Sequence, residues 1–259
     1  MEIEVDKEWW KEIFDEVYLR TDARSVCDDD LTRREIDYIV NRLNISPDDH
    51  ILDLCGGQGR HALELIRRGY SHITLLDYSS HLLEIGQKTA GDQGWNIAFV
   101  RSDGRQTGLR SNRFQYVFIL GSSFGYFVED RENRKILDEA FRLLCPGGQL
   151  LLDLPMRKHV ERKFKPVVHH TVDDDLDVTR TRLLEDGVIY ACETIISKTQ
   201  GIIRKNTYCT RLFRPATIAR LLKTAGFKKV EIESDYMDRS GKGDFGTLTN
   251  RMIVAAEKG

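Results

Sequence analysis

The run Asp53-Leu54-Cys55-Gly56-Gly57-Gln58-Gly59 puts an acid in front of a glycine-rich turn. Such a turn lets backbone N–H groups and a helix N-terminus come close to a ligand. Gly57-Gln58-Gly59-Arg60-His61-Ala62 fits the G-x-G-x-x-G/A pattern of dinucleotide sites. Asp77 follows at about the ~20-residue distance at which an acid meets ribose hydroxyls. Asp103, in Arg101-Ser102-Asp103-Gly104, can accept from an exocyclic adenine amine. Each acid also has a plain structural reading: Asp53 and Asp77 as helix caps, Asp103 as a turn residue.

These residues need a strand before each acid and a helix after it, and the hydrophobic pattern supplies both. Short apolar strands are expected at 51–54, 73–76, 97–100, 116–120 and 150–154, with helices at 60–68, 80–90 and 129–144 between them. That alternation predicts a parallel sheet covered on both faces. Before it, Trp9, Trp10, Ile13, Phe14, Val17 and Tyr18 form an apolar stripe at helical spacing, and Thr32-Arg33-Arg34-Glu35 reads as a capping box. After Pro155 the pattern changes. Residues 167–213 are rich in β-branched side chains, with turn signals at Asp186-Gly187 and Gln200-Gly201, and predict a three-stranded antiparallel insertion. Pro215 opens a helix that ends at Gly226, and strands are expected at 230–233 and 252–256.

Asp53 separates the two cofactors that the glycines leave open. A carboxylate at the end of the first strand would repel the pyrophosphate of a nicotinamide dinucleotide. It would favour the cationic amino group and sulfonium of S-adenosylmethionine. With this, the chain resembles the class I methyltransferases, in particular a small bacterial branch with motifs of the type DLGCGTGRHALELARRG. The match runs from Asp53 to Leu65 and recurs in Ser123-Phe124-Gly125-Tyr126-Phe127 and in Leu144-Cys145-Pro146-Gly147-Gly148 before Leu151-Leu152-Asp153. The resemblance covers about residues 32–155 and the closing helix and strands. It implies an α/β fold with a doubly wound, seven-stranded, mostly parallel sheet of Rossmann-like type, its last strand antiparallel. It implies S-adenosyl-L-methionine as cofactor, with roles for Asp53, Gly57, Gly59, Asp77 and Asp103. Cys55, Gly56, Tyr78, Ser102, Gly104, Leu120 and Gly121 complete the expected cofactor set. Cys55 departs from the motif, because the family usually has a glycine there.

Methyl transfer to a nucleophile needs alignment and exclusion of water more than a fixed catalytic motif, and no such motif is visible. Acceptor-side candidates are Tyr18, Tyr126, Tyr190 and Arg211. The segment 120–126 lacks the Asn/Asp-Pro-Pro-Tyr/Phe pattern of adenine and glutamine N-methyltransferases. Residues 1–155 and 214–259 are read as the cofactor-binding core with N-terminal helices, and 156–213 as an antiparallel β lid over a small-molecule acceptor with an N, O or C nucleophile. Lys+Arg number 39 against 41 Asp+Glu, a net charge of -2, so no basic excess points to nucleic acid. The five cysteines are scattered, no Cys-x-x-Cys occurs, and no metal site is expected. Without a signal peptide or a membrane span, a cytoplasmic protein is expected; a homodimer is allowed. The alternatives are a nicotinamide oxidoreductase, a non-catalytic module that binds S-adenosylmethionine, and an RNA methyltransferase.

Overall fold

The computed structural model describes residues 2–234, 236 and 250–259, with the backbone alone at 23–26. A seven-stranded sheet forms its centre, in the order β10-β11-β5-β4-β1-β2-β3. Its strands are β1 (His50–Leu54), β2 (His72–Asp77), β3 (Ala98–Arg101), β4 (Phe114–Ile119), β5 (Leu144–Pro155), β10 (Phe227–Ser234) and β11 (Arg251–Lys258). β1 to β5 pair in parallel, and β11 lies antiparallel between β5 and β10. The order reverses beside β1, between β4 and β2, and such a switch point opens a crevice at the carboxyl edge of the strands.

Helices cover both faces. α2 (Asp29–Leu43), α3 (Arg60–Arg67) and α4 (Ser80–Asp92) pack on one, and α5 (Asp130–Leu143) and α7 (Pro215–Thr224) on the other. Alternation along β1 divides the two cores. Leu52 and Leu54 join the cluster with Leu137, Ala140 and Leu222; Ile51 joins that with Ile36, Ile39 and Leu65. By the same alternation Asp53 faces α2 and α3, a carboxylate set into an apolar layer.

Three expectations are corrected. The apolar stripe 9–18 is not one helix. Trp9–Lys11 is a 3-10 turn and α1 (Glu16–Val26) starts only after a break. Thr32 does not cap α2; Asp28 does, accepting from the Leu31 amide at 2.8 Å, which leaves Glu35 inside the helix and buried. The insertion has four strands: β6 (Val167–Thr171), β7 (Leu176–Glu185), β8 (Val188–Ser197) and β9 (Gly201–Arg211), preceded by a helix, α6 (Arg157–Lys163). β6 is short and stands at the sheet edge, where side-chain alternation is a weak signal. The Asp186-Gly187 turn is present, both residues at positive φ as a two-residue hairpin demands. Among the described residues no helix is long and apolar enough to cross a membrane.

Candidate active site

β1 ends at Leu54 and the chain turns at once. Cys55 takes φ 61°, a left-handed conformation that a glycine enters without strain. Gly56 then passes so close to the sheet that a Cβ would stand 2.5 Å from Asp53 Cγ and from Leu75 Cδ1. The loop is tied down from β2: the Gly56 amide donates to Leu76 O at 3.1 Å, and the Gly57 amide donates to Asp77 Oδ2 at 2.8 Å. The other Asp77 oxygen accepts from the Ser79 amide at 2.9 Å. Ser79, not Asp77, caps α4.

Beside this loop lies a cavity of about 900 Å³, its open mouth included. It stands at the carboxyl edge of β1, β2, β3 and β4. From the expected cofactor set it brings together Cys55, Gly56, Gly57, Asp77, Tyr78, Ser102, Asp103, Gly104, Leu120 and Gly121. Asp53 and Gly59 do not line it. Asp53 lies behind Gly56, fully buried, and neither carboxylate oxygen has a hydrogen-bond partner of normal geometry. Of the acceptor-side candidates, Tyr18 and Tyr126 line the cavity. Tyr190 and Arg211 do not: Tyr190 sits opposite Cys209 in the insertion sheet, and Arg211 is held in an ion pair by Asp130.

The electrostatics divide the wall. Burial pushes the Asp77 carboxyl above the usual range, against the pull of the Ser79 and Gly57 amides. Burial does the same to Asp53, eased by the His61 and Arg60 charges. Partial burial also works against the Asp103 carboxylate, but bonds from Arg105 outweigh it and hold its pKa below the ordinary value. Arg105 spans Asp103 at 2.7 Å and Glu132 at 3.0 Å. Burial raises the Cys55 thiol well above its usual value, so it stays protonated and unreactive. Burial also raises Tyr18 and Tyr126, whose hydroxyls keep their protons at neutral pH.

Three parts of the site escape sequence reasoning. The first is an aromatic wall. Phe14 stacks on Tyr126 at 5.6 Å and meets Tyr18 edge-on at 5.0 Å; Trp9 packs on Tyr126 and on Tyr208 of β9 at 5.1 and 5.7 Å. The stripe 9–18 announces apolar burial, but not that it faces a cavity. The second is a buried ion pair under the turn after β4. Arg251 donates to Asp153 at 2.7 Å and to Ser122 Oγ at 2.7 Å, and Asp153 accepts from the Gly121 amide at 3.2 Å. The third joins α2 to the glycine loop: Glu35 accepts from Arg60 and meets His61 Nε2 at 2.8 Å, and both partners line the cavity. The last two pairs are 98 and 25–26 residues apart in sequence, and no local signal links them.

Comparison with known proteins agrees with this geometry. A family described as a methyltransferase domain matches residues 51–148. A glycine/sarcosine N-methyltransferase from Aphanothece halophytica is 30% identical over 214 residues, covering 81% of this chain and 78% of that protein. A demethylmenaquinone methyltransferase from Clavibacter sepedonicus is 34% identical over 147 residues, 54% of this chain and 55% of that one. Among solved structures, an S-adenosylmethionine-dependent methyltransferase from Clostridium acetobutylicum superimposes with a TM-score of 0.72 at 16% identity, over 86% of this chain and 90% of that one. An amino pentose methyltransferase from Micromonospora echinaspora, with S-adenosylmethionine bound, gives 0.66 at 17% identity, over 96% and 99%.

Proposed function

The chain belongs to the S-adenosylmethionine-dependent methyltransferases, and from that premise we propose that it methylates an N, O or C nucleophile of a small molecule held beneath the antiparallel insertion. The observation that carries this is the cavity itself: acids at the ends of β2 and β3, a glycine loop after β1, and an aromatic wall opposite. The reading places the chain in the small bacterial branch of the family, acting on neither nucleic acid nor membrane.

The residues present fit the cofactor. The space suits a nucleoside-sized ligand, and Asp77 and Asp103 offer carboxylates where ribose hydroxyls and the adenine amine would lie. Once ionised, the Asp53 carboxylate behind Gly56 adds a negative field under the loop, which favours a ligand cation. When bound, S-adenosylmethionine supplies a methyl group already activated by its sulfonium. The chain's own residues have the remaining tasks. The glycine loop and Asp77 fix the nucleoside end. The turn after β4, braced by Asp153 and Arg251, sets the floor on which the acceptor rests. Phe14, Tyr18 and Tyr126 exclude water from the transfer path. Tyr18 and Tyr126 keep their protons and so orient an acceptor without taking its proton. An amine that arrives neutral suits such a wall best, in line with the relative named as a glycine/sarcosine N-methyltransferase.

The test has two stages. S-adenosylhomocysteine is expected to raise the melting temperature and NAD to leave it unchanged. Labelled methyl from S-adenosylmethionine is then offered to a panel of small amines, alcohols and activated carbon acids, with transfer to the amines expected. Stabilisation by NAD alone, or no transfer to any small molecule alongside transfer to RNA, overturns the reading.

A further inference from the structure

The insertion sheet has an open edge. β6 stands outside β7 in the order β6-β7-β8-β9, and its register sets Val168 opposite Arg180 and His170 opposite Val178. The Arg182 amide donates to Pro166 O, and the Val172 amide donates to Leu176 O. Residues 166, 168, 170 and 172 therefore turn their backbone groups to β7, and by alternation Val167, His169 and Thr171 turn theirs outward. Among the described residues nothing bonds to these outward backbone groups. Proline blunts many sheet edges, but the N–H that Pro166 lacks belongs on the β7 side, so the outer edge keeps its donors. All three outward residues are exposed, Val167 at 56%. The two ends of this edge differ in charge. Before it come Lys158, Arg162, Lys163 and Lys165, all exposed; after it comes Asp173-Asp174-Asp175.

We propose that β6 pairs antiparallel with β6 of a second copy of this chain, about a two-fold axis at His169. In that pairing His169 meets the partner's His169, and Val167 meets the partner's Thr171. Lys165 and Lys163 come opposite the partner's Asp173 and the partner's Asp175. The basic end of each copy thus lies on the acidic end of the other, and this complementarity selects a second copy as the occupant. A parallel pairing would set like charges together, and a register moved by two residues would leave outward groups unpaired. The edge therefore accepts its own copy in one register and opposes the others. Each outward residue exchanges two backbone bonds with the residue opposite, about six in all. Val167 and the partner's Thr171 share a face, as β-branched neighbours that a sheet favours. Asp177 lies 3.7 Å from His169 and offsets the crowding of two imidazoles at the axis. Two insertion sheets become one of eight strands, with a seven-stranded core on either side. A two-fold contact is self-complementary and closes on itself, so this one stops at a dimer.

Sedimentation equilibrium of the full chain tests this. A monomer–dimer equilibrium is expected, with a dissociation constant on the order of 1–100 μM for so small a contact. His169→Pro removes only an N–H that faces outward, a change that an edge strand tolerates. It is expected to weaken the dimer about tenfold or more and to leave the monomer folded. Lys163→Glu with Lys165→Glu is expected to weaken it to a similar extent, and serves should the proline variant not fold. Cysteine variants read the register. Under mild oxidation His169→Cys is expected to give a disulfide-linked dimer, because residues opposite each other in a hydrogen-bonded pair have Cα atoms about 5.5 Å apart. Thr171→Cys is expected to stay unlinked by itself and to link once Val167→Cys is added. The wild type, with five cysteines of its own, is the control. A wild type that stays monomeric at concentrations well above that range overturns the proposal. A dimer that keeps its affinity in both the proline and the charge-reversed variants overturns β6 as the interface. Linkage of Thr171→Cys by itself, beyond that of the wild type, overturns the register.

Discussion

On the proposed reading, one side chain, Asp77, holds both the loop and the ligand. Its two oxygens already accept the Gly57 and Ser79 amides, yet it lines the cavity. Burial raises its pKa. The folded apoprotein therefore keeps a proton that the unfolded chain has released, from about pH 4 upward. In that window Asp77's contribution to stability falls as pH rises, and Asp53, raised for the same reason, acts in the same direction. On the same reading, ribose hydroxyls donate to the ionised carboxylate. Affinity for S-adenosylhomocysteine is thus expected to climb with pH through the same window, with proton release on binding, and then level off. Calorimetry in buffers of different ionisation enthalpy measures both. Asp77→Asn is expected to flatten the climb and to lower affinity at neutral pH by about tenfold. A variant that keeps the wild-type pH profile would remove Asp77 from the ribose. The residue types of this site are legible in the sequence because each sits at a strand end followed by a turn. The position of Asp53 is not legible in that way. Nothing local says that Gly56 passes over its carboxyl and screens it from the cavity.

At the scale of elements, the core strands and helices follow from hydrophobic period and glycine or proline stops. Their ends shift by a few residues, where hydrogen bonding and not polarity sets the limit. The capping box at Thr32–Glu35 fails because Asp28, four residues earlier, offers the Leu31 amide a carboxylate. That displacement carries Glu35 to the interior, where it meets Arg60. The insertion is docked on the core by a backbone bond from the Arg211 amide to Gly125 O at 2.7 Å. Gly125 has φ 108°, and a Cβ there would stand 2.6 Å from the Arg211 carbonyl oxygen. Gly125→Ala therefore combines backbone strain with a clash against another backbone. It is expected to lower stability by about 2–4 kcal/mol in urea denaturation. A loss under about 1 kcal/mol would show that β9 is not seated on this turn.

Over the whole molecule, the N-terminal segment lies between the core and the insertion and is bonded to both. Ser79 Oγ donates to Phe14 O at 2.7 Å on the core side. On the insertion side Arg204 reaches Asp15 at 2.6 Å, and Arg180 reaches Asp22 at 2.9 Å. Glu193, 2% exposed, joins the two arginines, 2.6 Å from Arg180 Nε and 3.5 Å from Arg204 Nη2. Glu193→Gln removes the negative charge on which both converge. Breaking a buried pair costs about 3–5 kcal/mol, less where a second acid remains, so about 2–4 kcal/mol is expected here. Limited proteolysis should then cut first in the insertion and the N-terminal segment, with the seven-stranded sheet cut last. Unchanged stability and cleavage would place this network outside the seam between the parts.

The sequence by itself determined that the chain alternates strands and helices, that a glycine loop follows the first strand behind an acid, and that further acids end the next two strands. These are local facts: each depends on residues a few positions apart, and period, turn chemistry and strand-end position are written at that range. It took the tertiary structure to show that Trp10, Phe14 and Tyr18 line the cavity, that Asp153 and Arg251 brace the turn after β4, that Asp53 stands behind the loop, and that Glu35 meets Arg60 beside the cavity. Each of these joins segments that no periodicity connects. They meet because the order of strands in the sheet and the packing of α2 on α3 bring them together.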